Sequence, residues 1–202
     1  MAISRIKKIG IIGYGVVGKA AENTLSKRFE IVKYDKFQNL DSFESLKSCD
    51  CTFIMVPTPF DCVANKVDQS AIIESLEKLE KLNYKNVIII KSTIPPGSCD
   101  EYSKRYNLKI VFNPEFLRES TTPNEDFENQ DTIVIGTDSK ENYQFVKAMY
   151  QKVAVPNAEY YNTTSKEAEM IKTAQNTMLA SRVALANMIY DACEENNVDY
   201  QK

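Results

Sequence analysis

A chain of 202 residues has room for one domain with an appendage or for two small ones. With 43% hydrophobic and 26% charged residues it can bury a core, and a formal charge of -3 with no basic stretch argues against a nucleic-acid partner. The lack of any histidine excludes a Ser-His-Asp triad, a histidine base and every imidazole zinc site, so chemistry must rest on Lys, Glu, Asp, Tyr, Cys or a cofactor, with no metal expected. Met1–Lys8 lacks the apolar run of a signal peptide, and no later run reaches membrane-spanning length. Five cysteines (Cys49, Cys51, Cys62, Cys99, Cys193), an odd number with no CxxC pair, read as free thiols of a reducing compartment. A cytoplasmic protein without a membrane partner is the expectation.

From Ile6 onward, short β-rich runs alternate with helical stretches, the signature of a parallel sheet with crossover helices. The runs Lys8–Ile12, Glu30–Tyr34, Thr52–Val56, Asn86–Lys91, Lys109–Asn113 and Thr132–Gly136 predict strands, most of them continuously apolar. Helices are predicted at Val16–Lys27, Ser42–Ser48, Gln69–Leu82 and Ser98–Tyr106. A last short strand is expected at Ala158–Tyr161. Beyond it, residues 164–196 contain no Gly or Pro and carry an apolar stripe through Ala168, Ile171, Met178, Leu185, Ile189 and Ala192. Thr164-Ser165-Lys166-Glu167 fits a capping box. The resulting helix of about 33 residues spans roughly 50 Å, long enough to bridge two domains or two subunits.

Gly13-Tyr14-Gly15-Val16-Val17-Gly18 is a GxGxxG element placed between the first strand and the first helix, the context its mechanism requires. Gly13 permits the tight turn, Gly15 lets backbone approach a pyrophosphate, and Gly18 lets helix and strand pack closely. The helix start at Val16 and Val17 offers free N–H groups to the phosphates. Asp35 ends the second strand 22 positions after Gly13, where a carboxylate accepts from ribose hydroxyls and repels a 2′-phosphate. NAD is therefore favoured over NADP, a preference that Lys36 beside Asp35 softens. The fold expected is α/β, a Rossmann-type doubly wound parallel sheet followed by a long helix.

Further segments fall at successive strand ends, where open α/β sheets bind ligands. They are Val56-Pro57-Thr58-Pro59, Ser92-Thr93-Ile94-Pro95-Pro96-Gly97 and Asn113-Pro114-Glu115-Phe116-Leu117-Arg118-Glu119. Lys172 and Asn176 sit one turn apart on the long helix. With these segments, and with Glu169–Asn176 continuing through Leu179, Arg182, Asn187 and Cys193, the chain resembles the UDP-glucose and GDP-mannose 6-dehydrogenase family. Tyr143 and Lys147 also match the YxxxK spacing of short-chain dehydrogenases, but that fold uses another glycine pattern.

The resemblance implies a two-step, NAD-dependent oxidation of a nucleotide-sugar C6 alcohol to a carboxylate, with UDP-glucose the first candidate. It casts Lys172 and Asn176 as donors to the C6 oxygen, Glu115 as general base and Thr93 as its helper. It sets Glu119 beside nicotinamide and sugar, Phe116 and Leu117 along the nucleotide-sugar, and Val56, Pro57, Thr58 and Thr93 along the cofactor. It also implies a homodimer through the 164–196 helix, and a division into an NAD-binding domain (1–161) and the start of a central, dimerising region (162–202). Two departures qualify it. The link from Lys36 to Cys51 is short, so cover for the cofactor is expected to be missing there. The chain also stops before the glycine-rich segment that carries the family's catalytic cysteine. Three readings stay open: an amino-terminal fragment of a longer enzyme, a stand-alone NAD-binding module, or a β-hydroxyacid-type dehydrogenase, which the Asn113–Glu119 motif disfavours.

Overall fold

A run such as Val87-Ile88-Ile89-Ile90 has no polar position to turn toward water and makes a strand only where both faces are covered. The computed structural model, which describes residues 6–201, supplies that cover. In chain order its elements are β1 (Lys8–Ile12), α1 (Val16–Leu25), β2 (Glu30–Tyr34), a 3-10 segment (Phe43–Ser48), β3 (Cys51–Ile54), β4 (Phe60–Asp61), β5 (Lys66–Val67) and α2 (Ser70–Lys81). They continue with β6 (Val87–Ile90), α3 (Ser98–Arg105), β7 (Lys109–Phe112), α4 (Pro123–Glu128), β8 (Thr132–Gly136), α5 (Lys140–Tyr150), β9 (Glu159–Thr163) and α6 (Ser165–Glu195).

Seven strands form one sheet in the order β2-β1-β3-β6-β7-β8-β9, and β4 and β5 make a separate small hairpin. From β1 the chain first winds outward to β2, then crosses back to place β3 on the other side. The carboxyl ends of β1 and β3 therefore flank a topological switch point, the place where such sheets open a crevice.

One face of the sheet packs Ile9, Ile11, Phe53, Ile89 and Val111 against α1, α4 and α5 through Ala20, Ala21, Phe127, Val146 and Met149. The other packs Ile12, Ile54, Ile88, Ile90 and Phe112 against α2 and α3 through Ile72, Leu76, Leu79 and Tyr102.

The sheet is not wholly parallel, as the run of alternating elements had suggested. β8 lies antiparallel to β7, and a single backbone pair, Phe112 with Gly136, joins them. Asn113 Nδ2 extends the seam by donating to Val134 O at 2.7 Å. Residues 113–131 form a loop and the short α4, which packs against α1 before the chain enters β8.

Helix α6 starts as its sequence dictates. Thr164 Oγ1 accepts from the Glu167 amide at 3.2 Å, and Glu167 Oε2 accepts from the Thr164 amide at 2.8 Å, both halves of a capping box. Its first turn lies directly on Gly136, where a Cβ would meet the Ala168 Cβ at 2.7 Å. One turn on, the fully buried Glu169 carboxylate accepts from the Gly97 and Cys99 amides at the start of α3, at 2.5 and 2.8 Å. After that the helix leaves the body of the fold, and its later apolar side chains are exposed.

Candidate active site

A cleft of about 640 Å³ opens along the carboxyl ends of β1, β2, β3, β6 and β7. Its floor is the glycine turn. Gly13 has φ +91, and a Cβ there would fall 2.4 Å from the Met55 carbonyl oxygen. A Cβ on Gly18 would fall 2.3 Å from the Gly13 oxygen, so β1 and α1 meet too closely for any side chain. Gly15, by contrast, faces open space. It is the N-cap of α1, no side chain caps that helix, and its first turn carries no acidic residue. Bare backbone over open space, with uncapped amides behind it, fits a diphosphate.

Asp35 stands at the end of β2 on the cleft wall. Its Oδ2 accepts from the Tyr14 amide at 2.8 Å and its Oδ1 from the Phe37 amide at 2.9 Å. Those bonds aim the carboxylate and leave each oxygen a lone pair for a ribose hydroxyl. The Tyr14 side chain turns away to Glu22 and to the Lys33 ammonium, 4.9 Å from its ring. What Tyr14 gives the turn is its backbone.

The opposite wall is made of the loops after β3 and β6, and hydroxyls tie them together. Thr58 Oγ1 donates to Thr93 O at 2.7 Å, and Ser92 Oγ donates to Val56 O at 2.7 Å. Val56, Pro57, Thr58 and Thr93 all line the cleft. The short link after β2 does not leave the cofactor end uncovered. Phe37, Gln38 and Phe43 come from that link, and Glu74 and Lys78 from α2, to complete the wall.

The far end holds a charged cluster. Glu115 is buried; its Oε1 accepts from the Phe116 and Leu117 amides at 2.9 and 3.2 Å. Its Oε2 lies 3.0 Å from Lys91 Nζ, on a lysine side chain wholly shielded from solvent. Lys91 also donates to Asn113 Oδ1 at 2.9 Å and to the Tyr150 hydroxyl at 3.3 Å. Burial alone would lower the Lys91 pKa, but Glu115 and Tyr150 outweigh it and the net shift is upward. Lys172 approaches from α6 and donates to the Glu115 carbonyl oxygen, with its ammonium 5.5 Å from the Phe116 ring. Its pKa is lowered, first by burial, against the pull of Glu115 and with the push of Lys91. Leu117 and the exposed Glu119 complete this end.

Most of the residues singled out from sequence thus meet in one cleft: Gly13, Gly15, Val16, Val17, Asp35, Lys36, Val56, Pro57, Thr58, Thr93, Glu115, Leu117, Glu119 and Lys172. Gly18 lies beneath the turn, and Phe116 stands under Lys172 without lining the cleft. Asn176 is exposed and outside the cleft, because α6 has left the sheet by the next turn. Tyr143 and Lys147 are remote on α5, where Lys147 covers the Tyr143 and Tyr160 rings. Sequence reasoning missed Lys91. The signal was present: a cation directly after four buried apolar residues has to find a partner.

Fold and cleft together define a dinucleotide-binding α/β domain of the dehydrogenase type. Residues 21–154 match the model of the UDP-glucose/GDP-mannose dehydrogenase family NAD binding domain, and residues 166–202 match that family's central domain. The chain belongs to the UDP-glucose/GDP-mannose dehydrogenase family. It is 34% identical over 182 residues to a UDP-glucose 6-dehydrogenase of Rickettsia bellii, an alignment covering 87% of this chain and 41% of that protein. A Haloferax volcanii UDP-glucose 6-dehydrogenase is 29% identical over 197 residues, 88% of this chain and 45% of that one. Among solved structures, a UDP-glucose dehydrogenase from Pyrobaculum islandicum superposes with a TM-score of 0.84 at 23% identity, over 98% of this chain and 55% of that one. A GDP-mannose dehydrogenase from Pseudomonas aeruginosa gives 0.81 at 23% identity, over 96% and 54%. At that identity the structures speak for the fold. The chain spans less than half the length of these two curated relatives.

Proposed function

We propose that this chain is the NAD-binding part of a nucleotide-sugar 6-dehydrogenase, with UDP-glucose as substrate and oxidation of the C6 alcohol toward the carboxylate as reaction. The observation that carries the reading is that one cleft holds a bare glycine turn at one end and the Lys172–Glu115–Lys91 cluster at the other. Bound NAD supplies the hydride acceptor. Gly15 and the amides of Val16 and Val17 hold its diphosphate, and Asp35 holds its adenosine ribose.

At the other end, Lys172 is the group for the sugar alcohol. Its lowered pKa gives it a larger neutral fraction than an ordinary lysine, so it can take a proton and, once charged, stabilise the alkoxide oxygen. Glu115 serves as the base of the later hydrolytic step, held by the amides of Phe116 and Leu117. Thr93 lines the same space and positions water, and Glu119 and Leu117 border the substrate. Asn176 joins them only if substrate or a further segment of protein closes over α6. We assign residues 1–161 to the cofactor domain and 162–202 to the start of the dimerising region, in a cytoplasmic homodimer paired through the 164–196 helix.

Calorimetry of the chain with NAD tests the reading. Saturable binding that weakens tenfold or more in Asp35→Ala is expected, and the absence of NAD binding would sink it. In an active enzyme carrying this segment, Lys172→Ala should lower turnover about a hundred- to a thousand-fold, the cost of losing a donor to a developing oxyanion.

A further inference from the structure

The nucleotide end of the cleft carries more charge than an acidic ribose site requires. Asp35 is followed by Lys36, and Lys78 projects into the same wall from α2. A cation beside the ribose is what accommodates the 2′-phosphate of NADP. Left to themselves, Lys36 and Lys78 would suit that phosphate. Both are engaged by one side chain. Lys36 Nζ lies 2.8 Å from Glu74 Oε2, and Lys78 Nζ lies 2.9 Å from Glu74 Oε1, so each carboxylate oxygen holds one lysine. Glu74 itself lines the cleft. Lys78 is further steadied by the Tyr34 hydroxyl at 3.4 Å and by the Phe43 ring at 5.6 Å. The hydrogen bonds from Lys36 and then Lys78 bring Glu74 down to about 2, so it is ionised throughout the neutral range.

We propose that Glu74 is a specificity-determining residue, which withholds Lys36 and Lys78 from a 2′-phosphate and so sets the site's preference for NAD over NADP. The proposal rests on the dinucleotide reading of the cleft. Asp35 opposes the phosphate by direct repulsion. Glu74 acts differently, by occupying the cations that would otherwise offset that repulsion. Asp35 and Glu74 balance Lys36 and Lys78, and loss of Glu74 alone leaves the edge with net positive charge. The pairs are partly exposed, so each is weak and the effect is moderate.

The test is calorimetry of the 202-residue chain with NAD and with NADP. Four proteins are compared: wild type, Glu74→Gln, Glu74→Gln with Lys36→Ala, and Glu77→Gln. Glu77 lies on the same helix but pairs with Arg105 at 3.1 Å and does not line the cleft, so it controls for net charge. The ratio of NADP to NAD affinity should rise about tenfold in Glu74→Gln. It should fall back when Lys36 is also removed and stay at the wild-type value in Glu77→Gln. An unchanged ratio in Glu74→Gln, an equal rise in Glu77→Gln, or a rise that survives loss of Lys36 overturns the proposal while NAD binding stands. Failure of the wild-type chain to bind NAD overturns the dinucleotide reading and the proposal with it.

Discussion

Two lysines flank Glu115 and are driven in opposite directions. Lys91 is buried but compensated by Glu115 and Tyr150, and its pKa is raised; Lys172 is dominated by burial, and its pKa is lowered. Environments that split like groups in this way separate a structural charge from a proton carrier. The linkage signs are opposite too. The cost of burying charged Lys172 is fully present below its folded pKa and fades as pH rises from there toward the ordinary lysine value. Stability from Lys91 is whole below that ordinary value and is lost as pH climbs through its raised one. With lysines carrying ¹³C-methyl labels, one resonance should titrate below the rest and vanish in Lys172→Met; its absence would remove Lys172 from the proposed proton-carrying role. Lys172 and Glu115 were legible because each sits in a recognisable run. Lys91 was read only as the last residue of a strand, although a cation ending so apolar a run has to find a buried partner. Asn176 was paired with Lys172 by helical spacing and by the family resemblance, neither of which says where α6 leaves the sheet.

Among the elements, those with one dominant signal were read best. β1, β2 and β8 fall on their predicted bounds, since β-branched runs ending in Gly or Asp admit little else. Ser42–Ser48 was expected as a helix, and Phe43–Ser48 forms a 3-10 segment instead. The β4–β5 hairpin was not foreseen: two residues per strand leave no period to detect. The turn between β1 and α1 is both the most legible element and the least tolerant. Gly18→Ala places a methyl against the Gly13 oxygen and should cost about 1–3 kcal/mol, as overpacking does. Urea denaturation would show it as a lower midpoint at constant slope. A variant as stable as wild type would mean that α1 can shift away from β1, and the close-packing account of Gly18 would fail.

At the scale of the molecule, the body of the fold is closed and α6 is not. Only Ser165, Ala168 and Glu169 of its 31 residues are buried, whereas Met178 and Met188 are 67% and 68% exposed beside Leu185 and Ile189. A contiguous apolar face of that kind marks a surface that is covered in use. In the homodimer proposed above, pairing with the same helix of a second copy would cover it symmetrically. Sedimentation equilibrium of the concentrated chain should therefore show a dimer, weakened by Met188→Glu; monomer at every concentration would refute the pairing. Among the described residues no helix is long and apolar enough to cross a membrane.

The Glu169 anchor has a mechanical corollary. A helix held at its first two turns and free beyond them is a cantilever, and Glu169 is its fulcrum. From Glu169 to Glu195 the arm is roughly 39 Å at 1.5 Å per residue, so a tilt of about 10° swings the far end by roughly 7 Å. Lys172, roughly 4.5 Å from the fulcrum on the same rise, moves by less than about 1 Å. A tilt of that kind would therefore displace the far end of α6 much more than the Lys172 backbone near Glu115.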